Sequence, residues 1–225
     1  MDWNRVRAAL FDVDGTLIDS NAAHTESWLR ALEEHGVQVD RSRLRALIGK
    51  GADKLLPEVA GVAEHSGRGR LIAGRKAEIF GALLPTLAAT EGARALLEFL
   101  KSRRITVGVA TSGSDEDVNN LLKQAGLDDL VRARATRDDG RQSKPDPDIV
   151  QASLRKTSVS AADAVLIGDT PYDIESAQAA GVRAVALRCG GFWGDEAFAN
   201  AEAIYDDPRG LLSALTSRDR ESGAA

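Results

Sequence analysis

Short apolar runs alternate with helical segments along most of this chain, and that alternation restricts its fold more than any other feature. Val6–Phe11, Ile105–Ala110, Ala164–Ile167 and Ala184–Leu187 read as strands, with a weaker run at Ala203–Tyr205. Between them helices are predicted at about Asp115–Gln124, closed by Gly126, at Pro147–Lys156, at Tyr172–Ala180, closed by Gly181, and at Arg209–Leu215. Strands separated by helices pair in parallel, because each crossover returns the chain in the same direction, and the helices then cover the sheet.

One interval departs from the pattern. Between about Ser20 and Leu87 no convincing strand occurs. Asn21–His35 carries Trp28, Leu29 and Leu32 on one face and stops at Gly36; Arg43–Ile48, Ala52–Val59 and Arg70–Leu84 continue the helical texture. The glycine-rich stretch Gly61–Gly74 reads as a weakly specified linker or mobile turn. The expected architecture is therefore α/β: a Rossmann-like parallel sheet core with helices on both faces and an inserted all-helical cap. Residues 1–19 and 88–216 would form the core and 20–87 the cap, with 217–225 a frayed polar tail.

Against this background, two aspartates stand where a strand should continue. Leu10–Phe11 runs into Asp12-Val13-Asp14-Gly15-Thr16. Asp is among the poorest strand residues, and like charges close together repel. Side chains alternate along a strand, so Asp12 and Asp14 project from the same side. In an open parallel sheet ligands bind beyond the carboxyl ends of the strands. Three further features fall at such ends: Thr111-Ser112-Gly113-Ser114, the basic Ser143-Lys144-Pro145 segment, and Gly168-Asp169-Thr170-Pro171-Tyr172-Asp173. Acids converging on one point need a cation, and a hard divalent ion such as Mg2+, which prefers carboxylate and carbonyl oxygens, would hold them. A metal–carboxylate cluster with one lysine and hydroxyl-rich loops suits a phosphate ester.

In these four segments, and in their order, the chain resembles the haloacid dehalogenase superfamily, in its phosphatase branch with a small helical cap. The resemblance covers about residues 6–215. It implies that Asp12 is the nucleophile, forming an aspartyl-phosphate, and that Asp14 is the general acid and base, with its backbone carbonyl on the metal. It further implies that Thr111, with amides near Ser112 and Gly113, binds the phosphoryl group and that Lys144 neutralises charge on nucleophile and phosphate. Asp169 would bind Mg2+ alongside Asp12 and Asp14, and Asp173 would support the metal's waters.

Each assignment has a plainer counterpart. Thr111–Ser114 also suits a helix start, with Ser114 as N-cap. If Thr170 is an N-cap and Pro171 the first helical residue, Asp173 falls where an acid stabilises the helix in any case. Asp19 suits a turn. In the cap, His24 resembles a histidine of sugar-phosphate mutases and related phosphatases, while a lone helical histidine is more often structural. Ile48-Gly49-Lys50-Gly51-Ala52-Asp53-Lys54 resembles the family's substrate-specificity loop, so Lys50 and Lys54 are candidates to meet a second charge on the substrate. Trp3, Trp28 and Trp193 suit packing. Gly190–Gly194 follows a late strand and could border a site, with no role assigned to it.

Composition limits the partners. The net charge of -5, without a basic stripe, argues against nucleic acid. One cysteine, Cys189, excludes an intrachain disulfide framework. No signal peptide or membrane-length apolar run is visible, and a cytoplasmic protein is expected. The sequence leaves the oligomeric state, monomer or homodimer, open. The leading expectation is a Mg2+-dependent phosphatase of a small phosphorylated metabolite, in the manner of phosphoglycolate phosphatases. A β-phosphoglucomutase-like mutase shares the same segments. A dehalogenase would lack Asp14, and a phosphonate hydrolase would need a Schiff-base lysine from the cap. A non-catalytic metabolite-binding module would not need Asp12, Lys144 and Asp169 together.

Overall fold

A computed structural model describes the backbone of residues 1–222 and the side chains of residues 1–217. Six strands form one sheet: β1 (Ala8–Phe11), β2 (Thr106–Ala110), β3 (Ala133–Ala135), β4 (Ala164–Gly168), β5 (Arg183–Leu187) and β6 (Ala203–Tyr205), in the order β3-β2-β1-β4-β5-β6. All neighbours are parallel. β1 and β4 are buried along their whole length, as central parallel strands covered on both faces must be. Alternate residues serve opposite layers. Ala9, Phe11, Val165 and Ile167 enter one apolar cluster, and Ala8, Leu10, Ala164 and Leu166 enter the other.

Helices α1 (Asn21–Glu34), α2 (Arg41–Arg45), α3 (Ala52–Ala60) and α4 (Gly67–Leu83) occupy the strandless interval. They pack around their own cluster, which includes Trp28, Leu32, Leu44, Leu55, Leu56 and Ile72. Five helices lie with the sheet: α5 (Ala93–Ser102), α6 (Asp115–Gln124), α7 (Asp148–Thr157), α8 (Pro171–Ala179) and α9 (Pro208–Ser222). Among the described residues no helix is long and apolar enough to cross a membrane.

The structure departs from the sequence reading in four places. The Gly61–Gly74 stretch is not a linker beyond Ser66: the Ser66 hydroxyl accepts from the Gly69 amide and starts α4, whose Ile72, Ile79 and Phe80 are buried. Tertiary burial outweighs the poor helix propensity of its glycines. β3 has three residues and exists by pairing with β2, a stabilisation that no local pattern announces. α5 buries Ala93, Leu96, Leu97 and Leu100, a helical spacing the sequence does contain. Finally, α9 continues through the expected tail as far as Ser222; residues 223–225 lie outside the described part.

Candidate active site

The site is built where β1 and β4 end. The Asp12 amide still donates to the Ile167 carbonyl at 2.9 Å, as though β1 continued. The chain then turns at Gly15, whose φ of +80° an L side chain rarely adopts. A Cβ there would also lie 2.3 Å from Asp169 Oδ2. Asp12, Asp169 and Asp173 are buried, and one carboxylate oxygen of each lies within 4.8 Å of the others.

Lys144 is fully buried beneath them, with Nζ 2.7 Å from Asp12 Oδ1 and 2.6 Å from Asp173 Oδ1. Burial alone would lower its pKa; the two carboxylates outweigh that and hold it above its usual value. Asp173 fills both roles that its position allows. Its Oδ2 accepts from the amide and hydroxyl of Thr170 at 3.0 and 2.7 Å, closing a capping box at the start of α8, while Oδ1 faces Lys144. Asp169 receives Thr16 Oγ1 at 2.8 Å and Asn21 Nδ2 at 2.9 Å. Burial, followed by repulsion from Asp173, still lifts its pKa to about 7. Asp12 is raised as well, chiefly by burial.

Asp14 differs. Burial pushes it up, but His24 and Ser20 prevail and hold it at about 2. The Ser20 hydroxyl donates to Oδ1 at 2.6 Å, and His24 Nε2 lies 2.8 Å from the same oxygen. His24, a candidate for substrate contact by sequence, is thus committed to Asp14, and its ring stacks on Phe80 at 4.0 Å.

Asp12 and Asp14 line a cavity of about 590 Å3 between the sheet and the helical block. Thr111, Ser112 and Gly113 form another wall. The Gly113 amide donates to Thr111 Oγ1 at 3.1 Å, and Ser112 Oγ is buried without a partner among the described residues. Ser114 caps α6 by accepting from the Asp117 amide, so this segment starts a helix and lines the cavity at once. Lys50 borders the cavity, with Nζ 2.8 Å from Glu58 and 4.9 Å from the centre of the Tyr172 ring. Lys54 does not border it. Its ammonium reaches Asp146 at 2.6 Å and also Gln142, tying the helical block to the core. Asp19 is exposed and does not line the cavity.

The sequence reading missed Thr16, Ser20 and Asn21 as supports and Lys76 altogether, and it placed Gly190 near the site without a role. A Cβ on Gly190 would sit 2.0 Å from Asp169 Oδ2. Lys76 on α4 projects into the cavity beside Trp28.

One lysine among three buried carboxylates leaves the centre short of positive charge, and an all-oxygen donor set suits a hard divalent cation. Asn21 Oδ1, buried without a partner among the described residues, could accept from a water on such an ion. The raised carboxyls carry a consequence for stability. A carboxyl whose native pKa lies above its usual 3.8 keeps its proton longer when folded, so stability falls as pH rises between the two values. Asp14, lowered instead, has completed its contribution above about pH 4. The metal-free protein should therefore melt lower at about pH 8 than at about pH 5.5. Divalent cation should raise the melting temperature more at the higher pH, where protons no longer compete for its ligands. Calorimetric melts with and without the ion check this; equal increments at both pH values would place the ion elsewhere.

A model of the haloacid dehalogenase-like hydrolase family matches residues 9–187. The chain is similar to the validoxylamine A 7'-phosphate phosphatase of Streptomyces hygroscopicus subsp. limoneus, 33% identical over 206 residues that span 89% of this chain and 93% of that protein. It is also similar to a phosphoglycolate phosphatase of Rhodospirillum rubrum, 30% identical over 210 residues, 89% of this chain and 87% of that one. Among solved structures it is similar to a hydrolase from Pseudomonas syringae, with a TM-score of 0.87 and 28% identity, over 94% of this chain and 98% of the other.

Proposed function

The chain belongs to the haloacid dehalogenase-like hydrolases, and on that footing we propose that it is a Mg2+-dependent phosphatase of a small phosphorylated metabolite. The observation that carries this reading is the contrast in surroundings between two neighbouring aspartates. Asp12 is buried against Lys144 through one oxygen, and Asp14 is held apart from that charge network by Ser20 and His24.

In the first half-reaction an Asp12 oxygen attacks phosphorus, the bond to the leaving oxygen breaks, and Asp14 delivers a proton to that oxygen. In the second, Asp14 takes a proton from water as the water attacks the aspartyl-phosphate. Phosphate leaves, and Asp12 and protonated Asp14 are restored. Asp14 is ionised in the free protein, and a bound phosphate dianion, as a like charge, would raise its proton affinity for the first half. Lys144 steadies the charge of Asp12, while Thr111, Ser112 and the nearby amides orient the phosphoryl oxygens. Mg2+, held by Asp12, Asp169 and the Asp14 carbonyl with Asp173 nearby, would supply positive charge against the phosphoryl oxygens.

In this reading the helical block acts as a lid. The Gly51 amide donates to Ser143 Oγ at 3.0 Å, and the Ser143 amide donates to Asp53 at 3.2 Å, so closure bears on the residue before Lys144. Tyr172 Oη donates to the Ala46 carbonyl at 2.6 Å and Arg45 to the Gly190 carbonyl at 2.5 Å. A lid of this kind would exclude bulk water during the first half-reaction.

The test is phosphate release from a panel including phosphoglycolate and several pentose and hexose phosphates, with Mg2+ and with excess chelator. Release only with Mg2+ supports the reading. No release from any member by folded protein would overturn it, and sugar-phosphate isomerisation would then be assayed. A second expectation concerns the glycine wall. Gly190→Ala should displace the Asp169 carboxylate, since its Cβ would meet Oδ2 at 2.0 Å. Activity or Mg2+ affinity should fall by about 10–100-fold, as when a metal ligand loses its support; a Mg2+ titration of the rate reads this out.

A further inference from the structure

Lys76 has no part in the chemistry above, yet it lines the cavity that holds Asp12 and Asp14. Its ammonium lies 4.3 Å from the centre of the Phe80 ring and 5.9 Å from that of Trp28. Among the described residues no carboxylate pairs with it. The other cavity-lining cations are occupied or exposed: Lys50 pairs with Glu58 at 2.8 Å and Arg137 with Glu64 at 3.1 Å, while Arg70 is exposed and donates to the His65 carbonyl. Burial pushes the Lys76 pKa down, against the distant pull of Asp117 and Asp14. Ring faces attract a cation but satisfy none of its three donors as an anionic oxygen would. A partly buried, unpaired charge is unfavourable until an opposite charge arrives.

Its position says which part of a ligand would bring that charge. The Phe80 ring beneath Lys76 stacks on His24, and His24 touches Asp14. Lys76 therefore stands on the Asp14 side of the cavity. In the proposed reaction Asp14 protonates the leaving oxygen, so the organic fragment of the substrate extends toward Asp14 and Lys76.

We infer that Lys76 receives a second anionic group on the leaving fragment, a carboxylate or a second phosphate, and so selects doubly anionic esters over neutral alcohol phosphates. This rests on the phosphatase reading. The Phe80 and Trp28 rings flank the ammonium, which faces the same cavity as Asp14. Lys50 and Lys54, the cap lysines singled out by sequence, are engaged with Glu58 and Asp146 instead.

The experiment compares pairs of esters that differ in the second anionic group. Phosphoglycolate is set against 2-hydroxyethyl phosphate for the carboxylate, and propanediol bisphosphate against propanediol monophosphate for the second phosphate. Wild type should favour the charged member of at least one pair in kcat/KM, and which pair shows the preference tells carboxylate from phosphate. Lys76→Met, which keeps the apolar stem, should reduce that preference by about 10–100-fold, mainly through KM, the loss expected for one charge-assisted contact. Lys76→Arg should retain most of it. A preference unchanged in Lys76→Met, or absent from wild type in both pairs, overturns the inference. Calorimetric binding of the same esters to Asp12→Asn protein reads the preference without turnover. A wild type that binds charged esters selectively but releases no phosphate would overturn the phosphatase reading alone.

Discussion

Asp12→Asn is expected to lower phosphate release by about 10⁴-fold or more, while the protein melts no lower than wild type. The amide has the carboxylate's shape but cannot attack phosphorus and leave again as a stable carboxylate. The stability half follows from burial. Asp12 is 4% exposed and its pKa is raised chiefly by desolvation, so the charged form is costly in the fold. Removing that charge still leaves Lys144 paired with Asp173 at 2.6 Å. Initial rates and calorimetric melts of the two proteins check both halves. A loss smaller than about tenfold would remove Asp12 from the nucleophile's role. A melting temperature lowered by several degrees would show that the Asp12–Lys144 pair stabilises the fold more than its burial costs.

Lys144→Met should behave in the opposite way. Its ammonium is the cation in direct contact with Asp12 and Asp173, and both carboxylates are buried. Replacing it strands two like charges in a low-dielectric interior, which costs about 3–5 kcal/mol when one partner of a buried pair is removed. Activity should fall with it, since Asp12 would hold its proton instead of attacking. The sign with pH is fixed by the same argument. Without Lys144 the Asp12 pKa, already raised by burial, rises further, so lowering the pH protonates it and restores stability. The deficit relative to wild type should therefore be larger at about pH 8 than at about pH 5, and divalent cation should offset part of it at the higher pH. Denaturant unfolding at both pH values measures the difference; a pH-independent deficit would mean that lost packing, not stranded charge, is responsible.

What could be read along the chain and what could not divide by the range of the interaction. Thr170-Pro171-Tyr172-Asp173 shows its helix cap because a capping box acts across three residues, and the structure closes it as such. Ser114 is legible for the same reason. The alternation of strand and helix showed the parallel sheet, since strand direction follows from connection length. α5 is legible in its spacing of Ala93, Leu96, Leu97 and Leu100. β3 was not legible: three residues acquire strand structure only by lying against β2.

The site follows the same division. The residue types and their order placed Asp12, Asp14, Thr111, Lys144, Asp169 and Asp173 as one candidate group. Only the tertiary structure decided how their charges are shared. Asn21 reaches Asp169 across 148 positions of sequence, and Gly190 matters because Asp169 leaves no space for a Cβ. His24 and Lys76 exchanged significance in the fold. His24 is spent on Asp14, and Lys76 is left without a carboxylate partner among the described residues. By itself the sequence determined the sheet, the helical insertion and the chemical types at the strand ends, because hydrophobic period, helix caps and turns act locally. Which charge is paired and which stays available to a ligand depends on packing between distant segments, here between the helical block and the sheet, and only the tertiary structure decides it.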